Sequence, residues 1–179
     1  MLPAFSAAAK TKIKVASDGF PTGQSTPEGA ASDLARAFMK QDAVALKTLC
    51  IRPYGAGRSR KDYQGYLDGV SEHFKTSQGK PDPENPTKLI KVYAARHLTM
   101  NGPASAGYAG FDFQDVMFVD VEVQLGNGRK HLRRDLVIKD HDGKWYVHPV
   151  PDVSPLLSMG LFDEKPSVQL FNAVYEIEH

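Results

Sequence analysis

The sequence predicts an α+β fold in which N-terminal helices pack on a strongly curved antiparallel sheet, forming a cone with a pocket. Apolar residues recur at helical spacing in the first half of the chain, and strand-like alternation dominates the second half. Residues 116–149 contain three consecutive strands joined by two glycine-containing turns. A β-sandwich would lack the helices, and a doubly wound fold would need strand–helix alternation, which is absent.

Composition indicates one domain with one core, since the chain has 179 residues, of which 41% are hydrophobic. The 22 Lys and Arg residues nearly balance the 21 Asp and Glu residues, for a net charge of +1. No run of basic residues concentrates positive charge, so nucleic acid is not an expected partner. No stretch of about 20 apolar residues is present, so no membrane span is expected either.

We expect three regions: a flexible N-terminal segment over 1–24, the folded domain over 25–152 and a C-terminal extension over 153–179. The first residues, Leu2 to Ala9, form a short, apolar stretch of mostly small side chains. Within it, Ala7-Ala8-Ala9 resembles the end of a cleaved secretory signal. The basic start and the full apolar core of such a signal are missing. Two interpretations stay open: a remnant of a signal, which would mean export to the periplasm or the medium, or an ordinary terminus.

The first helix has clear signals at its start, after a short strand predicted over 12–16. Ser25 and Glu28 have capping-box spacing, and Pro27 suits a first helical turn. One apolar stripe follows, which predicts a helix with a single face toward the core. Its members are Ala31, Leu34, Ala35, Phe38 and Met39.

Two further helices are predicted. Asp42 can cap a short helix that carries Leu46, Leu49 and Cys50. Ser59 with Asp62 begins a third helix. The apolar stripe of that helix consists of Tyr63, Tyr66, Leu67, Val70 and Phe74. Residues 78–86 hold three prolines and a glycine and therefore form a connector.

The strands begin at 89–99, whose apolar face carries Ile90, Val92, Ala94 and Leu98. In the next strand, valines at 119, 121 and 123 alternate with Asp120, Glu122 and Gln124. Asn127-Gly128 and Asp142-Gly143 predict two-residue hairpin loops. After Pro149, we expect a short helix over 154–162 and a last helix or edge strand over 167–177.

Two-residue loops would place three polar pairs on one face of the hairpin. The pairs are Glu122 with Arg133, Gln124 with His131, and Asp120 with Asp135. This face is interpreted as a solvated outer face or a dimer surface. The alternative interpretation makes the two aspartates a coupled carboxylate pair, in which one pKa is raised.

In the same register, Arg134 lies on the apolar face together with Trp145, opposite Val121 in the middle of the strand. By the same alternation, Arg96 lies on the apolar face of its own strand. A buried guanidinium needs an anion, a carboxylate or water. We therefore expect one or both arginines to point into the cone and hold an acidic ligand group. The alternatives are a salt bridge to a helix carboxylate or a bulge that turns Arg134 outward. The predicted ligand-binding residues are Arg134, Arg96, Tyr63, Tyr66 and Trp145.

No catalytic residue, metal or cofactor is assigned. An isomerase needs a carboxylate base in its pocket and a proton donor opposite it. Tyr63 and Tyr66 suit the donor, but the inner strand positions supply no acid except Asp140 near a strand end. The six histidines show no metal-ligand spacing. Cys50 is the single cysteine, which excludes an intramolecular disulfide and favours a small buried residue over a nucleophile.

Two segments resemble the nuclear transport factor 2-like superfamily: the helix pair, with Ala37 to Asp42 leading to Ala45 to Leu49, and the closing hairpin, Asp142 to Val147. The resemblance covers residues 26–149, judged by the order of elements. It implies a cystatin-like α+β cone with a pocket between helices and sheet. The scaffold hosts binding and assembly domains as well as enzymes.

The function expected from this resemblance is a non-catalytic domain that binds a small acidic or apolar ligand or forms a homodimer. One alternative is a small isomerase, dehydratase or polyketide cyclase-like enzyme that uses the same pocket. A structural interaction module, acting through the polar sheet face or the C-terminal segment, is the third.

Overall fold

A computed structural model describes residues 10–50, 68–69, 72, 84, 86–97, 114–147 and 169–178. Their elements, in chain order, are β1 (Lys12–Lys14), α1 (Pro27–Met39), α2 (Ala43–Leu49), β2 (Lys88–Val92), β3 (Arg96–His97), β4 (Asp115–Gln124), β5 (Lys130–Lys139), β6 (Trp145–Val147), a 3-10 helix (Phe171–Ala173) and β7 (Glu176–Glu178).

Helix α1 begins one residue later than the predicted capping box. The hydroxyl of Thr26 accepts a hydrogen bond from the Gly29 N–H at 3.1 Å, which makes Thr26 the N-cap. The prediction that Ser25 caps this helix is therefore wrong. Glu28, expected to reach back to the cap, is instead buried. Asp42 caps α2 as predicted, accepting from the N–H groups of Val44 and Ala45.

Arg36 of α1 binds the loop between β1 and α1. Its guanidinium donates to the carbonyls of Phe20 and Pro21 and to the carboxylates of Asp18 and Asp33. Burial raises the pKa of Asp18, but the hydrogen bond and the charge of Arg36 outweigh that effect, so this pKa lies below its usual range. The loop is thus held in place by a partly buried ion network.

The main sheet has five strands in the order β2-β4-β5-β6, with β3 pairing beside β4, and all of these pairs are antiparallel. Helix α1 contacts β2, β4, β5 and β6. The predicted α+β class, with helices on an antiparallel sheet, is confirmed. The described sheet is open and does not curl strongly or close into a cone. Its outer strands β3 and β6 have only two and three residues, too few to wrap around a pocket.

Both hairpin loops are one residue longer than predicted. Leu125 donates to the Arg129 carbonyl and Gly128 donates to the Leu125 carbonyl, which closes a three-residue loop over 126–128. Gly128 lies at φ 75°, in the left-handed region that such a loop requires. Asp140, Lys144 and Gly143 repeat the arrangement in the second hairpin. The extra residue shifts the β4–β5 register, so Asp120 lies opposite Arg134 and Val121 lies opposite Arg133.

The sheet has two buried faces. The helix face carries Val119, Val121, Val123, Val137 and Val147, which belong to one buried cluster with Ala31, Leu34 and Phe38 of α1. The second face carries Phe118, Asp120, Arg134, Leu136, Ile138 and Tyr146, all at most 6% exposed. The predicted solvated face is therefore wrong for Asp120, Arg133 and Asp135, which are buried, whereas Glu122 and Gln124 are half-buried and His131 is exposed. The alternative of a dimer surface stays a prediction.

The first and last described strands meet in a second, two-stranded sheet. β1 and β7 pair in parallel, with Ile13 opposite Ile177. Ile13 and Phe171 both belong to the main buried cluster. The predicted strand over 12–16 corresponds to β1, and the segment 167–177 contains a 3-10 helix and part of β7. The boundaries at residues 24 and 153 stay predictions.

Several predicted elements fall on residues that the structure does not describe. The helix over 154–162 lies outside the described residues, and so does most of the third helix, of which Asp68, Gly69 and Glu72 are helical and exposed. The strand predicted over 89–99 is divided into β2 and β3. Among the helices of the described residues, none is long and apolar enough to cross a membrane.

Candidate functional site

The two arginines predicted to bind a ligand meet at one aspartate on the second face. Arg134 donates from Nε to Asp120 Oδ1 at 2.7 Å and from Nη2 to Asp120 Oδ2 at 3.2 Å. Arg96 Nη2 lies 3.5 Å from the same Oδ2. We call these three residues the second-face ion cluster. The structure thus brings Arg96 and Arg134 together, with a carboxylate between them.

An aromatic ring supports this cluster. The Cζ atoms of Arg96 and Arg134 lie 5.6 and 5.5 Å from the centre of the Phe118 ring, within the range of a cation–π contact. The salt bridge considered as an alternative for Arg134 is therefore present, but its partner is Asp120 of the neighbouring strand and not a helix carboxylate. A ligand-binding role for either arginine stays a prediction.

The proposed carboxylate pair of Asp120 and Asp135 is wrong. The two side chains lie on opposite faces of the sheet, because Asp120 opposes Arg134 whereas Asp135 opposes Val119. Each has its own arginine partner. The predicted pair of Glu122 with Arg133 is wrong for the same reason, since Glu122 opposes Leu132.

A second charged pair lies on the helix face, where the sequence predicted Arg134 among apolar side chains. Arg134 was expected to share a face with Trp145, but it lies on the opposite face. Arg133 donates from Nη2 to Asp135 Oδ1 at 3.0 Å, and both side chains are buried. The Arg133 Cζ lies 4.4 Å from the centre of the Phe38 ring, so the guanidinium stacks on α1. The Arg133 Nε is buried and has no hydrogen-bond acceptor among the described residues. We call Arg133 and Asp135 the helix-face ion pair.

Cys50 lies near this pair, at the end of α2. It is fully buried, and its backbone forms a bridge with Val147 of β6. Burial, with a smaller contribution from the Asp135 charge, raises the pKa of the Cys50 thiol to about 12, although the Arg133 charge lowers it in part. The thiol is therefore protonated at neutral pH and a poor nucleophile. The predicted burial of Cys50 is confirmed.

Glu28 is a buried acid that the sequence analysis did not consider as a site. Its side chain is 1% exposed, and Oε1 accepts a hydrogen bond from the Ala95 N–H at 2.6 Å. Burial raises the pKa of Glu28, while the N–H groups of Ala95 and of Glu28 itself and the Tyr175 hydroxyl lower it in part. Burial and the neighbouring Glu28 also raise the pKa of Tyr175. In the sequence, an acid in the first turn of a helix indicates only helix capping, so nothing there pointed to a buried Glu28.

The other predicted site residues lie elsewhere. Trp145 is buried on the helix face, and its backbone N–H and carbonyl bond to Gln24, so it belongs to the packed core. Tyr63 and Tyr66 lie outside the described residues. Within the described part of the chain, no group of three or more His, Cys, Asp or Glu side chains is placed to hold a metal ion.

The described residues thus form three buried polar sites with different chemistry. The second-face ion cluster and the helix-face ion pair offer guanidinium groups, which recognise carboxylates and other anions. Glu28 with Tyr175 offers a buried acid and a phenol. No protein-family model, curated protein or solved structure matches this chain.

Proposed function

We propose that this chain is a non-catalytic domain of the nuclear transport factor 2-like type, which binds a small acidic ligand between its helices and its sheet. The observation that carries the proposal is the buried Nε of Arg133. An unsatisfied donor in a protein interior costs about 1–3 kcal/mol. A ligand carboxylate that accepts from this Nε would remove that cost and add a charge-assisted hydrogen bond.

The surroundings of Arg133 favour recognition of an anion. The Phe38 ring and the Asp135 carboxylate fix the guanidinium on two sides, so little side-chain entropy is lost when a ligand binds. A site of this kind, with a few fixed polar groups among apolar side chains, is typical of small-molecule pockets. The valines of the helix face supply the apolar surroundings.

The same site is poorly suited to catalysis. The Asp135 carboxylate is fully buried and accepts a hydrogen bond from Arg133, so it is held as an ion-pair partner and is a weak candidate for a general base. The Cys50 thiol is protonated and enclosed, so it does not supply a nucleophile. Binding therefore explains this arrangement better than proton transfer or acyl transfer.

The alternative of a small isomerase, dehydratase or polyketide cyclase-like enzyme is favoured by one observation. Glu28 has a raised pKa and lies beside the Tyr175 hydroxyl, and an acid with a phenol is the combination that proton-transfer chemistry uses. Glu28 is only 1% exposed, however, so a substrate would have to displace the C-terminal residues to reach it. This function is our second candidate.

The test uses the full-length protein. We expect native mass spectrometry to show a retained small molecule, and thermal-shift titration with benzoate to raise the Tm, whereas neutral benzamide leaves it unchanged. Replacing both members of the helix-face ion pair, Arg133→Met with Asp135→Leu, avoids leaving one buried charge alone. This double variant should stay folded and lose the benzoate shift.

The matched control is Arg129→Met, because Arg129 is an exposed arginine just before β5. It should keep the benzoate shift. A wild-type chain with no retained molecule and no response to benzoate would contradict the proposal, and so would a benzoate shift that survives in the double variant.

A further inference from the structure

The C-terminal segment, residues 169–178, docks along two separate parts of the chain. The Gln169 carbonyl accepts a hydrogen bond from the Ala94 N–H at 2.7 Å, and Leu170 forms an antiparallel bridge with Tyr93. Farther along, the Glu176 N–H donates to the Thr11 carbonyl at 3.1 Å. We call β1 and residues 93–95 the docking strip. The strip holds the segment mainly through main-chain hydrogen bonds.

One aromatic side chain anchors the segment. Phe171 is 5% exposed and belongs to the main buried cluster, and within residues 169–178 it is the only buried residue. Tyr175 and Ile177 add partly buried contacts with the same cluster, and the Tyr175 hydroxyl bonds Glu28. Because most other positions of the segment are exposed, it opens at lower free-energy cost than the core. We therefore expect the segment to leave the strip while the main sheet and α1 remain folded.

The pairing of β1 with β7 follows a charge pattern. Lys12 lies opposite Glu176 and Lys14 lies opposite Glu178, and the two isoleucines lie opposite each other between them. Opposite charges at paired positions favour one partner and one register. Lys10 adds a hydrogen bond from Nζ to the Ala173 carbonyl at 3.0 Å. The strip thus recognises an extended segment with alternating acidic and apolar residues, a form of strand addition.

We propose that the docking strip is a strand-binding site that accepts the C-terminal segment of a second copy of this chain in place of its own. A second copy brings the same contacts, so exchange loses no interaction, and reciprocal exchange gives a closed twofold dimer. The chain's own segment has the advantage of a high effective concentration. Exchange between copies should therefore appear when the chain's own segment binds the docking strip less tightly or when the protein is concentrated.

The first test measures binding of a fluorescent peptide of residues 168–179 to the full-length chain by anisotropy. Phe171→Ala in the chain removes the anchor of its own segment, so this variant should bind the peptide at least tenfold more tightly than the wild-type chain. A peptide with Glu176→Lys and Glu178→Lys should bind at least tenfold more weakly. Adding Lys12→Glu and Lys14→Glu to the Phe171→Ala chain should restore binding of the reversed peptide.

If Phe171→Ala prevents folding, the chain variant Glu176→Lys/Glu178→Lys replaces it, because both positions are exposed. That variant should also bind the wild-type peptide more tightly than the wild-type chain does. The proposal is overturned if neither variant binds the peptide better than the wild type. Equal binding of the wild-type and charge-reversed peptides overturns it as well.

A second test detects exchange between full chains. One copy carries Lys12→Cys and the other Glu176→Cys, so a disulfide between these positions forms only between two molecules. After mixing and refolding at high concentration, we expect a disulfide-linked heterodimer well above the level of dimer formed by the Lys12→Cys copy alone. No excess over that control overturns the proposal.

Discussion

Asp120 and Arg134 face each other across β4 and β5 and share two hydrogen bonds, with both side chains buried. Removing one member of such a pair leaves the other charge in a medium that solvates it poorly. We therefore expect Asp120→Ala to lower the free energy of unfolding by about 3–5 kcal/mol, measured by urea denaturation. The double variant Asp120→Leu/Arg134→Leu should lose clearly less, because the buried Arg134 charge is removed with its partner and only the partly exposed Arg96 loses its contact with Asp120.

The control for this prediction is Glu122→Ala, on the same strand and the same face. Glu122 is 3.9 Å from the half-exposed Lys91, and an ion pair of this kind contributes at most about 1 kcal/mol. A Glu122→Ala variant as unstable as Asp120→Ala would contradict the prediction, and so would a double variant less stable than the single one.

Gly29 is held in a close contact that alanine cannot share. A Cβ atom built at this position would lie 2.2 Å from the Gly23 carbonyl oxygen and 2.9 Å from that of Thr22. Alanine normally stabilises a helix relative to glycine by about 1 kcal/mol, but here the backbone would have to move. We expect Gly29→Ala to lower the free energy of unfolding by about 1–3 kcal/mol, measured by chemical denaturation.

Gly69 provides the matched comparison, because it is helical and exposed and a Cβ there meets nothing within 4 Å. Gly69→Ala should leave stability unchanged or raise it by up to about 1 kcal/mol. If the two variants change stability in the same direction by similar amounts, the close contact at Gly29 does not control the result.

The raised pKa of Glu28 predicts a pH dependence of stability. Its folded-state pKa lies above the ordinary value of 4.5 because of burial. At pH values between the unfolded-state and the folded-state pKa, the folded chain therefore binds a proton that the unfolded chain has lost. The contribution of Glu28 to the free energy of unfolding is fully present below pH 4.5 and is lost as the pH rises through the folded-state pKa. Glu28→Gln removes this decline, so its stability relative to wild type should increase from pH 4 to pH 7.

The measurement is the free energy of unfolding of wild type and variant across this range, using urea. Asp18→Asn is the control, because the pKa of Asp18 is lowered from 3.8 and its contribution is lost only as pH falls below that value. Its profile should therefore stay nearly parallel to that of wild type from pH 4 to pH 7 and diverge, with the opposite sign, at lower pH. Parallel pH profiles for wild type and Glu28→Gln would show that Glu28 does not titrate differently in the two states.

The enclosed thiol of Cys50 should resist modification in the folded protein. With a pKa of about 12, roughly one thiol in ten thousand is ionised at pH 8, and reagents attack the thiolate. We expect labelling by a disulfide reagent to be at least about 100-fold slower in buffer than in denaturing urea.

The control moves the cysteine to an exposed position on the same helix. Thr48 is exposed in α2, so Thr48→Cys with Cys50→Ala should react quickly in both solvents. Fast labelling of wild-type Cys50 in buffer would show that the thiol is accessible and that the structure around α2 opens readily.

The helices and strands with the strongest periodicity were predictable from the sequence. The apolar stripe from Ala31 to Met39 predicted α1, which forms over Pro27–Met39. The prediction of a single face toward the core is wrong, because Ala30, Ser32 and Ala37, which lie outside the stripe, are buried as well. The alternating valines of β4 similarly identify its helix face. The N-cap was predicted at Ser25, one residue before the actual N-cap Thr26. Both residues carry a hydroxyl group, and only tertiary packing selects between them.

The candidate sites were harder to predict because they depend on register. Gly126 and Gly128 flank Asn127, so the sequence permits a two-residue or a three-residue loop, and the choice decides which side of the sheet each arginine faces. Arg134 was correctly expected to be buried, but it was placed on the face of Trp145 and lies on the opposite one, and its partner was not identified. Arg133 was also placed on the wrong face. Glu28 accepts a hydrogen bond from a residue 67 positions away, which no local pattern reveals.

The length of the 126–128 loop has a consequence for how this protein tolerates change. Surface loops usually accept insertions and deletions, and removing Gly126 would leave Asn127-Gly128 as a two-residue loop between the same closing residues, Leu125 and Arg129. Asp120 would still lie opposite Arg134, so both salt bridges would keep their register. A single-residue deletion inside β5, between Arg129 and Arg133, would instead turn both arginines to the other side of the sheet and should be far more damaging than the same deletion in the loop.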